Sequence, residues 1–181
     1  MTDSKVVILD RDGVINHDSP DYIKSADEWR PIAGSLEAIA QLKRAGWRVA
    51  LASNQAGIAR GLFTQAALDG IHARMLAAIR AAGGDIDVLV YCPHRPEDHC
   101  DCRKPAPGLL REIGRRLQID LHGVPFIGDT LKDIDAARAV GARPLLVRTG
   151  QGEATLAALD NTADVAVFAD LAAAASFLTG H

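Results

Sequence analysis

The most constraining feature of this 181-residue sequence is the run Val6-Val7-Ile8-Leu9, followed at once by Asp10-Arg11-Asp12-Gly13-Val14. Consecutive apolar and mostly β-branched residues favour a strand. With no polar alternation, that strand has no face for water, so it is predicted to be buried on both sides, as in a parallel sheet. Asp10 and Asp12 then fall where the strand ends, the edge at which open α/β sheets bind ligands. Residues two apart share a face of a strand, so the two carboxylates are expected to converge, although the turn at Gly13 blurs the alternation. Carboxylates held close repel, and such a site calls for a hard cation such as Mg²⁺. Asp and Gly are also common turn residues, so this stretch alone leaves a plain strand and turn open.

The remaining chain repeats the rhythm. Apolar spacing and end signals predict helices over 35–45, 65–82 (with Thr64 as cap), 107–117, 132–140 and 153–159, and a last one ending at 178. Apolar runs predict further strands over 47–52, 87–91, 124–127, 144–147 and 165–168. Irregular stretches are expected at 16–31, 54–61 and 92–105. Strands alternating with helices imply parallel βαβ units. The predicted fold is therefore one α/β domain over residues 1–181, a doubly wound, Rossmann-like parallel sheet in three layers.

A net charge of −3 gives no sign of a nucleic-acid partner. No apolar run reaches membrane-spanning length, and the N-terminus has no signal-peptide pattern, so a cytoplasmic protein with no membrane partner is expected. A monomer is expected as well.

Three further segments can join Asp10 and Asp12 at the sheet edge. The second strand ends at Ser53-Asn54-Gln55, a hydroxyl with backbone N–H groups suited to a phosphate oxygen. The fourth ends at Gly128-Asp129-Thr130, with Asp133 one helical turn beyond. Lys104 precedes Pro105, where a helix start can aim its ammonium at the edge. Each alone is also an ordinary turn, cap or surface residue; the argument rests on the combination.

All three cysteines lie between Cys92 and Cys102. Such clustering suits a metal better than a disulfide framework. Cys92, His94, Cys100 and Cys102 make a closed tetrahedral donor set for structural Zn²⁺, although His99 competes as a ligand. A long structureless loop needs a staple, and this one would fix the segment that carries Lys104.

Asp10-Arg11-Asp12-Gly13-Val14, Ser53-Asn54, Lys104-Pro105 and Gly128-Asp129 with Asp133 together resemble the four motifs of the haloacid dehalogenase-like phosphatases, in that family's order. The resemblance implies that Asp10 is a nucleophile forming an aspartyl-phosphate, and that Asp12 protonates the leaving alcohol and then deprotonates water. It implies that Ser53 and Lys104 hold the phosphoryl oxygens, and that Asp10, the Asp12 carbonyl and Asp129 bind Mg²⁺. The charges are consistent with these roles. A carboxylate about 3.5 Å from a phosphoryl oxygen costs on the order of 5 kcal/mol per unit pair at an effective dielectric near 20. A divalent cation and Lys104 offset that cost.

The zinc loop running into Arg103-Lys104-Pro105 resembles the subgroup of that family that acts on heptose bisphosphates and histidinol phosphate, whose members lack a large cap domain. Residues 53–61 resemble the heptose branch, with Ala56 in place of a usual serine, Ser53 in place of threonine, and Thr130 where some relatives carry lysine. The resemblance implies a phosphorylated-sugar substrate, losing the 7-phosphate of D-glycero-D-manno-heptose 1,7-bisphosphate in the supply of nucleotide-activated heptose for surface glycans. Histidinol phosphate is the alternative substrate, and a non-catalytic zinc-stabilised module the alternative class. The expected substrate contacts are Asp18, Tyr22, Ser53, Asn54, Gln55, Ala56, Arg103 and Lys104.

Overall fold

The structure, a computed structural model, describes residues 5–180. Six strands form one sheet: β1 (Val6–Leu9), β2 (Arg48–Asn54), β3 (Val88–Cys92), β4 (Pro125–Gly128), β5 (Arg143–Val147) and β6 (Ala166–Phe168). All pair in parallel, in the order β3-β2-β1-β4-β5-β6. The helices are α1 (Ser35–Arg44), α2 (Gln65–Ala81), α3 (Gly108–Leu117), α4 (Leu131–Ala139), α5 (Gly152–Ala158) and α6 (Leu171–Thr179). The chain winds outward from β1 through β2 to β3, then returns to place β4 on the other side of β1. That reversal leaves a crevice at the carboxyl ends of β1 and β4, the place where such sheets bind ligands.

Both faces of β1 are covered, which is why its sequence shows no polar alternation. Val7 and Leu9 pack with Ile39 and Leu42 of α1, Ile71 and Met75 of α2, and Ala174 of α6. Val6 and Ile8 point the other way, to Leu110 and Ile113 of α3 and Ala136 of α4. Ile134 and Leu146 pack with Leu156 of α5 on that second side. The doubly wound, three-layer architecture expected from the sequence is the one observed.

The caps follow the sequence signals. The Thr64 hydroxyl accepts from the Ala67 N–H at 3.1 Å to start α2, and Thr130 with Asp133 forms a reciprocal capping box on α4. Most boundaries shift from expectation by a residue, and two of the shifts lie at the site. β2 continues through Ser53 and Asn54, and β3 through Cys92, because Ser53 pairs with Tyr91 and Asn54 with Cys92 in register. Backbone pairing is indifferent to the polar side chains that suggested a loop. The 16–31 segment is also less irregular than expected. It holds a 3-10 turn at Ala26–Glu28 and a bridge from Asn16 to Pro31, with Trp29 buried beneath.

Candidate active site

Lys104 is the centre of the site. It is only 2% exposed, and its Nζ reaches the Ala52 carbonyl at 2.8 Å, Asp133 Oδ1 at 2.6 Å and Asp10 Oδ1 at 3.0 Å. Asn54 holds the backbone of Lys104 from both sides: Nδ2 donates to its carbonyl and Oδ1 accepts from its N–H, each at 3.0 Å. Asp133 Oδ2 accepts from the N–H groups of Asp129 and Thr130 and from the Thr130 hydroxyl. Both Asp133 oxygens are therefore engaged, one on the lysine and one on the start of α4.

Ligand oxygens of Asp10, Asp129 and Asp133 lie within 4.8 Å of one another. Burial pushes the Asp10 carboxyl well above its usual range, and Asp133 adds to the rise while Lys104 opposes it. Burial also pushes the Asp129 carboxyl up to about 7, against the Gln151 N–H and with help from Asp133. Burial disfavours the Lys104 ammonium, yet Asp10 and Asp133 outweigh it and raise the pKa above the usual value. Three carboxylates thus face one ammonium. Asp129 Oδ1 is buried with no hydrogen-bond partner, and Asp10 Oδ1 takes both the Arg11 N–H and Lys104, leaving Oδ2 free. Oxygen donors, excess negative charge and an orphaned acceptor fit a hard divalent cation such as Mg²⁺. Gly13, at φ +81°, makes this closeness possible, since a Cβ there would lie 2.0 Å from Asp129 Oδ2.

The Asp12 side chain does not converge on this cluster as the strand alternation suggested, because β1 ends at Leu9 and the chain has already turned. Its Oδ1 accepts from Arg11 Nε and Asn16 Nδ2, both at 2.9 Å, and its Oδ2 from Arg11 Nη2 and Gln55 Nε2, both at 3.1 Å. Four donors fix the direction of that carboxylate. The Arg11 guanidinium is wholly buried, and its Nη1 lies 3.5 Å from His72 Nε2. Burial and Arg11 push His72 down to about 4, so the neutral ring can accept from the guanidinium.

A cavity of about 310 Å³ opens above these groups. Of the expected site residues, Asp10, Asp12, Asp18, Tyr22, Asn54, Gln55, Arg103, Lys104 and Asp129 line it. Ser53 and Ala56 are buried outside that lining, and Ser53 Oγ instead accepts from Gln55 Nε2 at 2.7 Å. Tyr22 adopts φ +65°, a costly conformation for a bulky residue and one that clusters at functional sites. Lys132, Gln151 and Thr130 also line the cavity.

Cys92, His94, Cys100 and Cys102 form the second cluster, and His99 is not part of it. The Sγ and Nδ1 contacts run from 3.0 to 3.5 Å. Those lengths are near the edges of a zinc–thiolate tetrahedron, about 3.8 Å for bonds of about 2.3 Å. The donor set and its spacing fit Zn²⁺. The cluster is tied to the sheet through Cys92 on β3. It is tied to the pocket through Arg103, whose Nη1 donates to the His94 carbonyl at 3.1 Å.

Several site residues were not singled out from the sequence: Arg11 and Asn16 on Asp12, Lys132 in the cavity wall, and Thr149 and Gln151 beyond β5. The last two had a usable signal. Thr149-Gly150-Gln151 follows a strand at the same carboxyl edge as Asp10 and Asp129, so the reasoning applied to those strands extends to it.

A family profile described as HAD-hydrolase-like matches residues 101–174. The D-glycero-beta-D-manno-heptose-1,7-bisphosphate 7-phosphatase of Pseudomonas aeruginosa is 54% identical over 173 residues, 96% of this chain and 97% of that protein. The enzyme of the same name from Pseudomonas putida is 58% identical over 152 residues, 84% of this chain and 87% of its own. The crystal structure of D,D-heptose 1,7-bisphosphate phosphatase from B. bronchiseptica, complexed with magnesium and phosphate, matches with a TM-score of 0.95 at 50% identity. The match covers 97% of this chain and 98% of that one. The chain belongs to the haloacid dehalogenase-like hydrolases, within the family of D-glycero-beta-D-manno-heptose-1,7-bisphosphate 7-phosphatases.

Proposed function

We propose that this protein is a Mg²⁺-dependent phosphatase that removes the 7-phosphate of D-glycero-beta-D-manno-heptose 1,7-bisphosphate. The observation that carries this reading is the buried Lys104 between Asp10 and Asp133, with Asp10 Oδ2 free at the base of the cavity and Asp129 Oδ1 orphaned beside it. Asp10 Oδ2 attacks phosphorus, the bond to the sugar oxygen breaks, and an aspartyl-phosphate forms. Asp12 gives its proton to the departing oxygen. Asp12 then takes a proton from water as that water attacks phosphorus, which frees Asp10 and releases inorganic phosphate. Lys104 holds the phosphoryl oxygens; Ser53, expected beside it, lies outside the cavity lining with Gln55 on its hydroxyl. Mg²⁺, held by Asp10, Asp129 and the Asp12 carbonyl, neutralises phosphoryl charge when bound. Zn²⁺ on Cys92, His94, Cys100 and Cys102 has a structural role. Asn54 and Gln55 position Lys104 and Asp12.

Arg103 and Lys132 offer the cavity two cations for the distal phosphate of a bisphosphate, whereas the amine of histidinol phosphate would be repelled there. Asp18 and Tyr22 contact the sugar. The chain works as a single-domain monomer in the cytoplasm, supplying heptose for nucleotide activation and surface glycans; among the described residues no helix is long and apolar enough to cross a membrane. A kinetic comparison of the heptose bisphosphate, histidinol phosphate and 4-nitrophenyl phosphate tests the reading, with Arg103→Ala beside the parent. Arg103→Ala should weaken kcat/KM for the bisphosphate by roughly 1.5–3 kcal/mol, the range for charged hydrogen bonds, and affect the aryl phosphate much less. Preference of the parent for histidinol phosphate would overturn the substrate.

A further inference from the structure

The segment after β5 is hydrogen-bonded to Gly13, Asp129 and Asp18 of the site. The Thr149 hydroxyl donates to the Gly13 carbonyl at 2.7 Å, the Thr155 hydroxyl to the Asp129 carbonyl at 2.7 Å, and the Gln151 N–H to Asp129 Oδ2 at 2.8 Å. Gly150, at φ +58°, sits so near that a Cβ would lie 2.2 Å from Asp129 Oδ2 and 2.5 Å from Gly13 Cα. The segment is thus anchored on the Asp10–Asp12 turn and on the metal-site carboxylate together.

Gln151 is the N-cap residue of α5, but its side chain makes no capping hydrogen bond to that helix. Its Nε2 instead donates to Asp18 Oδ2 at 3.2 Å, a link across 133 residues of sequence. Asp18 Oδ1 accepts from the Ser19 N–H at 2.8 Å. Each oxygen of this carboxylate therefore has one donor and unused acceptor capacity, and both Asp18 and Gln151 line the cavity. A phosphate is repelled beside Asp18, while a neutral hydroxyl finds an acceptor. Arg103 and Lys132 line the same cavity with the opposite sign.

We infer that Gln151 is a positioning residue that holds Asp18 as the acceptor of sugar hydroxyls and so orients the substrate. The polyol edge lies on Asp18 and the distal phosphate on Arg103 and Lys132. Without the amide, an exposed aspartate must be ordered by the substrate itself, which lowers affinity. This inference rests on the sugar-phosphate reading above.

The test is steady-state kinetics of Gln151→Ala, Gln151→Glu, Asp18→Ala and the Gln151→Ala/Asp18→Ala double variant on the heptose bisphosphate and on 4-nitrophenyl phosphate. Gln151→Ala should raise KM for the bisphosphate about tenfold, the scale of one hydrogen bond to a charged group, with kcat moved far less. The loss on the aryl phosphate, which offers no polyol, should be several-fold smaller. Gln151→Glu, which keeps the side-chain length but sets a carboxylate against Asp18, should raise KM at least as much. The double variant should be no worse than Asp18→Ala alone, because one residue acts through the other. Equal losses on both substrates, or additive losses in the double variant, would overturn the inference. A parent enzyme that cleaves the aryl phosphate but not the bisphosphate would overturn the substrate reading instead.

Discussion

Two clusters of side chains that could hold a metal ion occupy the same end of this molecule and are assembled in opposite ways. The carboxylates Asp10, Asp129 and Asp133 come from segments far apart in sequence and meet because β1 and β4 pair, Leu9 against Ile127. The candidate zinc donors Cys92, His94, Cys100 and Cys102 come from one short stretch, mostly loop, with only Cys92 on a strand. In the first cluster the sheet makes the geometry, and an ion would answer to it. In the second an ion would make the geometry of the loop. The difference predicts that removing the two metals has unlike consequences: one should cost activity without the fold, the other stability and activity together.

The largest effect tests the first half of that statement. Asp10→Asn is nearly isosteric but removes the nucleophilic carboxylate, and turnover should fall by about 10³-fold or more. The fold should persist, because the sheet places residue 10 whatever its charge. Deleting one of three mutually repelling carboxylates should leave the melting temperature equal to that of the parent or above it. Initial rates and circular dichroism on both proteins check this, and a variant within tenfold of the parent would rule out covalent catalysis through Asp10.

The second half is tested at the loop. Cys100→Ser or Cys102→Ser removes a thiolate from a closed site, so zinc content should fall well below one ion per chain. Unfolding free energy should drop by roughly 2–5 kcal/mol, comparable with loss of a cross-link. Activity should drop with it, because Lys104 lies two residues from Cys102 and the loop is pressed against the start of α3, where a Cβ on Gly108 would lie 2.3 Å from the Asp101 carbonyl. Metal analysis, denaturant titration and rates on the same preparations decide the matter. Full zinc occupancy in both variants would show the ligand set to be wrong.

The same contrast explains how much could be read in advance. The gathering of Cys92, His94, Cys100 and Cys102 was legible because local spacing alone brings them together. That Asp10, Lys104 and Asp129 meet at one sheet edge was legible because they sit at or beside strand ends, and four spaced motifs agreed on one family. What a side chain does after the chain turns was not legible. Asp12 was expected beside Asp10, yet Arg11, Asn16 and Gln55 draw its carboxylate aside. Arg11 was not singled out, because only the fold, which buries it and brings His72 of α2 against it, makes it a buried clamp. Strand ends at Ser53, Asn54 and Cys92 were set too short because pairing between backbones leaves no mark in side-chain polarity. Gln151 and Thr149 were missed because their strand end carries no carboxylate.

The smallest effect separates the clusters by pH. In the metal-free carboxylate cluster, Asp129 titrates at about 7, raised mainly by burial. An unfolded aspartate titrates near 3.9. Between these values the folded chain holds a proton that the unfolded chain has lost, so this group makes stability fall as pH rises from about 4 through about 7. Mg²⁺ must displace that proton. Its apparent affinity should therefore weaken by about tenfold per pH unit below 7 for each proton released. The gain in melting temperature on adding Mg²⁺ should accordingly be larger at pH 8 than at pH 6. His72 acts in the opposite sense: a folded value of about 4 against about 6.5 unfolded makes stability fall as pH drops through that window. It makes no contact with the metal-site carboxylates, so its contribution is the same with and without Mg²⁺ and cancels in the difference. Thermal melts with and without Mg²⁺ across pH 6–8, with zinc kept bound, make the measurement. An increment that does not grow with pH would mean that the sheet-built cluster is not the Mg²⁺ site, and would remove the basis for setting it against the loop.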